Sequence, residues 1–72
     1  MIIVTPDQIG KIIRETRKKL GVTQKDLALI SGTGLRFIID IEKGKTTCHI
    51  GKVLMVMKNL GIKLHITMPH TT

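Results

Sequence analysis

The chain has 72 residues, of which 12 are Lys or Arg and 5 are Asp or Glu, so its formal net charge is +7. This length predicts a single domain over residues 1–72 with no room for a substrate pocket, and the positive charge favours a polyanionic partner. The single cysteine, Cys48, excludes an internal disulfide, and no apolar run reaches the roughly 18 residues of a membrane span. The first residues also lack the pattern of a signal peptide, so we expect a cytoplasmic protein.

A first helix is predicted to begin after Thr5. Pro6 suits the first helical position, and Gln8 can complete a capping box with the Thr5 hydroxyl. Gly21 can end this helix, which we expect over about residues 6–20. Its apolar face, at a spacing of 3.6 residues, consists of Ile9, Ile12, Ile13, Thr16 and Leu20.

A second, shorter helix is predicted between Thr23 and Gly32. The Thr23 hydroxyl can cap its first turn, and Gly32 can adopt the left-handed conformation that ends a helix. Apolar side chains at helical spacing give it one buried side, which we expect to consist of Leu27, Ala28 and Ile30.

A third helix is predicted over about residues 35–43, with Ile38 and Ile41 facing inward and Gly44 as its end. A turn of about three residues joins it to the second helix. Two short helices joined by a tight turn that contains glycine predict a helix-turn-helix unit over about residues 23–44. On so basic a chain, such a unit favours DNA as the partner.

A fourth helix is predicted over about residues 49–59, with Thr46 and Thr47 as candidate caps and Gly61 after its end. Its predicted apolar stripe consists of Ile50, Val53, Leu54, Met57 and Leu60. Met55 and Val56 widen this stripe beyond the needs of a monomer, which favours a dimer.

Residues 62–68 alternate apolar and polar side chains, a pattern typical of one β-strand. A strand needs a partner for its backbone hydrogen bonds. Two partners fit: residues 2–4 of the same chain, or the same segment of a second chain, which would make residues 62–68 a dimerisation strand.

The helix-turn-helix region also carries a recognisable motif. Its residues are Thr23-Gln24, Leu27-Ala28, Gly32, Ile38, Ile41-Glu42 and Gly44-Lys45. In type and spacing this motif resembles the XRE, or phage-repressor-like, helix-turn-helix family over about residues 8–61, and with the C-terminal strand it is most similar to HipB-type antitoxins. The resemblance implies an all-α, lambda-repressor-like domain of four to five helices with a C-terminal β-strand.

The function implied by this resemblance is that of a dimeric repressor. Such a protein binds operator DNA of its own operon and neutralises a HipA-like serine/threonine kinase toxin. Two alternatives stay open: a protein-interaction module with little role in DNA binding, and a phage-type repressor without a toxin. The resemblance implies no cofactor, no small-molecule ligand and no membrane contact.

The same resemblance places DNA-base contacts on the third helix, at Leu35, Arg36 and Asp40. Arg36 is the only long donor among them, and we expect it to read a guanine through O6 and N7. Leu35 can contact a thymine methyl group. Asp40 can accept from cytosine N4, although we expect Arg36 to hold it across one helical turn.

Three further groups of residues are predicted, from the family pattern and from the position and apolar character of the residues. The residues expected to contact phosphates are Thr23, Gln24, Thr33, Gly34 and Lys45. The residues expected to form a structural ion pair are Arg17 and Glu42. The residues expected at a dimer interface are Met55, Met57, Ile62, Leu64 and Ile66.

Catalytic and metal-binding patterns are missing from the sequence. The five acidic residues each suit a cap, an ion pair or the surface, so paired catalytic carboxylates are not expected. The candidate metal ligands Cys48, His49, His65 and His70 lack the spacing of a zinc site. We therefore expect neither an enzyme nor a metalloprotein.

Overall fold

A computed structural model of the chain describes residues 5–66 and 68–69. The described residues form four α-helices and no strand, which confirms the predicted all-α class. In this part of the chain no helix has both the length and the apolar character needed to cross a membrane. The helices are α1 (Pro6–Lys19), α2 (Gln24–Ser31), α3 (Leu35–Glu42) and α4 (Ile50–Asn59).

The first two helices begin at capping boxes. At α1, the Gln8 backbone N–H donates to Thr5 Oγ1 at 3.3 Å, and Gln8 Oε1 accepts from the Thr5 backbone N–H at 3.1 Å. At α2, the Asp26 N–H donates to Thr23 Oγ1 at 3.0 Å, and the Asp26 carboxylate accepts from the Thr23 N–H. Both predicted starts are confirmed because capping depends on residues only three positions apart.

A small apolar core lies between the four helices. Helix α3 packs on α1 and α2, and α2 also packs on α4. Ile13, Leu27, Ile38 and Val56 are the largest side chains that are fully buried. Among the described residues, the buried core consists of Ile13, Leu27, Ala28, Ile38, Ile41, Val53, Val56, Met57 and Leu60.

The buried side of α1 runs through Gly10, Ile13 and Arg17 instead of reaching Leu20. A Cβ atom at Gly10 would collide with the Ile41 carbonyl oxygen, so the missing side chain lets α1 approach the end of α3 closely. The prediction that Leu20 faces the core is wrong, since this residue is 57% exposed. Leu20 is the C-cap that follows the last residue of α1, so the packed face of the helix ends before it.

The buried sides of α2 and α4 also differ from the sequence prediction. Ile30 is exposed, and Ser31 takes the inward position, where Asn59 Nδ2 donates to Ser31 Oγ at 3.1 Å. This hydrogen bond ties the end of α2 to the end of α4. In α4, Val56 is fully buried, whereas Ile50 and Leu54 face outward.

Helix α4 is capped by His49 and not by Thr46 or Thr47. Nδ1 of His49 accepts from the Lys52 backbone N–H at 3.3 Å. The residue directly before the helix therefore supplies the acceptor. The threonine prediction is wrong because both threonines lie too far upstream of the first turn.

The predicted C-terminal strand is not formed within this single chain over the described residues 62–66 and 68–69. Its pattern is compatible with a strand, but a strand requires a second backbone as hydrogen-bond partner. Residues 2–4 and Thr67, which belong to this prediction, lie outside the described residues. Ile62 packs against the core, and its N–H donates to the Met57 carbonyl at 2.9 Å, which fixes the end of α4.

Candidate nucleic-acid interface

Helix α3 has an outward face opposite its two core residues. With 100° between successive residues, five side chains share this face, and each is exposed or partly exposed. They are Leu35, Arg36, Ile39 and Asp40 of α3, together with Lys43, the C-cap residue that follows it. The family pattern had pointed to the first, second and fourth of them. Ile39 and Lys43 were missed, although their i+4 and i+8 spacing from Leu35 predicts the same face.

The Asp40 carboxylate lies between two basic side chains. Arg36 Nε is 3.1 Å from Asp40 Oδ1, and Lys45 Nζ is 3.5 Å from Asp40 Oδ2. The expected pairing of Arg36 with Asp40 is thus present in the structure, and Lys45 joins it. The side chain of Asp40 is 16% exposed, against 75% for Arg36 and 54% for Lys45.

The turn after α3 brings Lys45 to this position. Gly44 has a φ of +82°, which favours glycine, and the Lys45 backbone N–H donates to the Asp40 carbonyl oxygen at 3.1 Å. A Cβ atom at Gly44 would also collide with the side chain of Asp7. The turn therefore holds Lys45 beside α3 through backbone geometry.

Arg17 and Glu42 form a bidentate ion pair beneath α3. Arg17 Nε lies 2.7 Å from Glu42 Oε2, and Nη2 lies 3.1 Å from Oε1. Arg17 Nη1 also donates to the Val22 carbonyl at 2.9 Å. The two side chains are only 10% and 3% exposed, so the pair joins α1 to the end of α3 inside the protein.

Gln24 belongs to the same polar cluster. Its Nε2 donates to Glu42 Oε1 at 3.2 Å, so the side-chain nitrogen expected to reach a phosphate is bound to Glu42 here. The first backbone N–H groups of α2 have no partner within the helix, and such groups attract anions. Thr23, which caps this turn, is exposed beside Gln24.

A groove of about 320 Å³ runs beside the outward face of α3. Two of its lining residues, Arg14 of α1 and Lys43 directly after α3, are exposed bases, and the sequence interpretation had assigned neither to the site. The groove is lined by Arg14, Arg17, Gln24, Ile39, Glu42 and Lys43. An anionic strand lying along α3 would therefore meet positive charge from α1 as well as from α3.

The turn between α2 and α3 holds the other two residues expected to contact phosphates. Gly34 is the exposed N-cap of α3 and provides no side-chain cap. Thr33 Oγ1 is buried and has no hydrogen-bond partner among the described residues. Contact of Thr33 with a phosphate stays a prediction, although its hydroxyl oxygen is shielded from solvent in this conformation.

The expected dimer residues fall into two groups. Met55, Leu64 and Ile66 are exposed by 40%, 44% and 85%, so a second chain can reach them. Ile62 is partly buried against the core. Met57 is 2% exposed, and its assignment to the interface is wrong because its side chain fills the core.

The outer side of α4 supplies further apolar surface. Ile50 and Leu54 are 64% and 43% exposed and share one side of the helix at a spacing of four residues. The candidate metal ligand His70 lies outside the described residues. Within 5–66 and 68–69, no three His, Cys, Asp or Glu side chains cluster closely enough to hold a metal ion.

Comparisons with known proteins give both sequence and structural matches. The model of the family described as "Helix-turn-helix domain" matches residues 10–65. The HTH-type transcriptional regulator y4mF of Sinorhizobium fredii (strain NBRC 101917 / NGR234) is 48% identical over 67 residues, which cover 93% of this chain and 88% of that protein.

Solved structures share the arrangement of helices. A chain of the HipA-HipB-O2-O3 complex and a chain of the HipB-O4 20mer complex each have a TM-score of 0.85 and 18% identity, over 97% of this chain and 99% of theirs. The restriction-modification controller protein C.AhdI from Aeromonas hydrophila has a TM-score of 0.71 and 26% identity, over 81% of this chain and 88% of its own. The matches at 18% identity establish a common fold.

Replacing Arg17 with Met is expected to lower the free energy of unfolding by about 3 to 5 kcal/mol, measured by urea denaturation. The reason is that Glu42 would remain buried without its cationic partner. The matched control is Arg14→Met, which removes an exposed arginine one helical turn earlier and should change stability by less than about 0.5 kcal/mol.

The double variant Arg17→Met/Glu42→Leu removes both charges together. It should recover at least half of the stability lost in the single variant, because no buried charge is then left without a partner. A double variant that is as unstable as Arg17→Met would show that lost packing, and not the unpaired carboxylate, causes the destabilisation.

Proposed function

Since this chain belongs to the helix-turn-helix domain family and is a DNA-binding regulator of transcription, we propose that it represses its own operon as a dimeric, HipB-type antitoxin. The family resemblance seen in the sequence is confirmed by the family match over residues 10–65. The proposed partners are operator DNA, a second copy of the chain and a HipA-like serine/threonine kinase. Chromosomal DNA as a partner would place the protein in the cytoplasm.

The observation that carries the DNA-binding proposal is the outward face of α3 with its flanking bases. We propose that α3 enters the major groove, where Arg36 reads a guanine and Leu35 contacts a thymine methyl group. Ile39 lies next to Leu35 on the same face and offers a second apolar contact. Asp40 is paired with Arg36 and Lys45 in the free protein, so we do not assign it a base contact.

Phosphate contacts would flank this face on both sides. Lys45 and Gly34 lie at opposite ends of α3, and Thr23 and Gln24 lie at the start of α2. For Gln24 we propose contact through its backbone N–H, since its side-chain nitrogen is bound to Glu42. Contacts of this kind fix the orientation of the protein on the duplex but do not distinguish one base sequence from another.

The proposed dimer uses the exposed apolar surface of α4 and the C-terminal segment. A symmetric pair would present two copies of α3 at a spacing of about 34 to 36 Å, which suits successive major grooves on a palindromic site. Met55, Leu64 and Ile66 are exposed in the single chain, and burying them would supply the apolar contact area. Backbone pairing of two copies of residues 62–68 would satisfy the strand pattern.

Two different observations, one from the sequence and one from the fold, support the proposal of a kinase partner. The sequence motif resembles HipB-type antitoxins, and the fold matches chains in HipB complexes with a TM-score of 0.85. The likeness to the controller protein C.AhdI, at 26% identity, favours a second candidate: a transcriptional regulator that has no kinase partner.

Replacing Arg36 with Ala is expected to reduce discrimination between the upstream DNA of this operon and a scrambled duplex by about 1 to 3 kcal/mol. Lys43→Ala removes one positive charge from the same helix face. It should weaken binding to both duplexes alike and make the salt dependence shallower by about 0.9 in log–log slope. Fluorescence anisotropy titrations at several salt concentrations measure both quantities.

Lys19→Ala is the matched control, since it removes an exposed lysine on the far side of α1. It should leave discrimination unchanged. If Arg36→Ala weakens binding to upstream and scrambled DNA equally, Arg36 does not read a base. If the unaltered protein shows no preference for its upstream DNA, sequence-specific repression by this chain is refuted.

Replacing Ile66 with Asp is expected to shift the protein from dimer to monomer in sedimentation-velocity experiments, because a charge would be buried at the proposed interface. Leu29→Asp is the control, since Leu29 is an equally exposed residue on α2, 82% against 85%. An Ile66→Asp variant that sediments as a dimer would exclude this segment from the interface.

Co-expression with the product of the neighbouring reading frame, which the antitoxin proposal requires to be a HipA-like kinase, separates the two candidate functions. For an antitoxin, the chain should co-purify with the kinase in a stoichiometric complex and restore the growth of cells that express the kinase alone. Upstream DNA binding without any such complex would support the regulator that has no kinase partner.

A further inference from the structure

The outward face of α3 contains an acidic residue where DNA phosphates would approach. The face includes two bases, Arg36 and Lys43, and Asp40 is the acid between them. A carboxylate in this position repels a phosphate backbone. Because the rest of this surface is basic and apolar, the presence of Asp40 there needs an explanation that outweighs its repulsion of phosphates.

Each oxygen of the Asp40 carboxylate lies next to a different cation. Oδ1 is 3.1 Å from Arg36 Nε, and Oδ2 is 3.5 Å from Lys45 Nζ. The two cationic side chains are 75% and 54% exposed, whereas Asp40 is 16% exposed. The two bases thus cover the acid, and one carboxylate restrains both of them.

The backbone makes this three-residue arrangement specific. Arg36 lies four residues before Asp40, the spacing at which helix side chains meet. Lys45 is brought back by the turn at Gly44, and its N–H donates to the Asp40 carbonyl oxygen at 3.1 Å. Asp40 therefore binds Lys45 twice: its carbonyl oxygen accepts from the Lys45 backbone N–H, and its carboxylate pairs with the Lys45 ammonium group.

We infer that Asp40 is a positioning residue that withholds Arg36 and Lys45 from phosphates of non-target DNA, whereas on the target Lys45 exchanges the carboxylate for a phosphate. The inference rests on the proposed function, in which α3 faces DNA. Ion pairs as exposed as these are weak in water, so a well-placed guanine can displace the carboxylate from Arg36. A phosphate on random DNA lacks the bidentate geometry that would compensate for this displacement.

The test compares Asp40→Asn with Glu15→Gln in the full chain. Both variants remove one negative charge without changing side-chain shape, and Glu15 is exposed on the side of α1 opposite Ile13 and Arg17. Binding of a random-sequence duplex is measured at several salt concentrations. Asp40→Asn should bind about three- to tenfold more tightly, with a log–log salt slope steeper by about 1 to 2, as one or two more bases reach phosphates.

The control variant should bind the random duplex within about twofold of the unaltered protein, as expected for one distant charge. Asp40→Glu retains a carboxylate within reach of both bases and should restore the original affinity. Helical circular dichroism verifies that each variant is folded.

A second readout needs no DNA. In the free protein, the Arg36 Nε–H signal in ¹H–¹⁵N NMR spectra should exchange with water faster in Asp40→Asn than in the unaltered chain or in Glu15→Gln. A purely structural role of Asp40 would not change this exchange selectively. This NMR measurement therefore tests whether Asp40 restrains Arg36 independently of any DNA binding.

Three results would overturn the inference: equal random-duplex affinities for Asp40→Asn and Glu15→Gln, an unchanged Arg36 Nε–H signal, or a loss of affinity confined to upstream DNA. The last result would mean that Asp40 contacts a base directly. Failure of the proposed function looks different, since the unaltered protein would then show no preference for upstream DNA. The random-duplex and NMR comparisons would still decide the role of Asp40.

Discussion

The buried ion pair between Arg17 and Glu42 determines how the first three helices meet. Arg17 extends from α1 to the end of α3 and also binds the Val22 carbonyl before α2, and Gln24 of α2 binds the same Glu42 carboxylate. A carboxylate that is 3% exposed needs these donors, because burying an uncompensated charge is costly. The angle at which α3 is presented therefore depends on polar contacts that a small apolar core could not make equally directional.

Besides the ion pair between Arg17 and Glu42, close packing of the helices also determines how they are arranged. Gly10 allows α1 to touch the Ile41 carbonyl, next in sequence to the ion-paired Glu42. The hydrogen bond between Asn59 and Ser31 closes the opposite end of the domain, between α4 and α2. The described part of the chain thus combines nine buried core side chains with directional polar contacts at both ends, and the outward face of α3 does not contribute to this core.

Features that depend on neighbouring residues could be predicted from the sequence, whereas features that depend on the packed chain could not. The capping box at Thr5 and the N-cap at Thr23 each involve residues only three positions apart and were predicted correctly. The inward position of Ser31 results from a partner 28 residues away, so local periodicity pointed to Ile30 instead. On α3, the family pattern identified Arg36. Ile39 was missed, although its helical spacing from Leu35 would have placed it on the same face. The pairing of the C-terminal segment depends on a backbone that a single chain does not provide.

The two-cation arrangement at Asp40 also bears on how quickly such a protein could find its target. Chromosomal DNA offers about 10⁶ to 10⁹ competing sites, and a protein with net charge +7 is attracted to all of them. While the Asp40 carboxylate is paired with Arg36 and Lys45, the protein binds non-target DNA less tightly, so its residence time at each non-target site is shorter. A shorter residence time allows the protein to slide and hop to new sites more often. An acidic side chain on a DNA-facing helix would then speed the search by lowering the affinity for everything except the target.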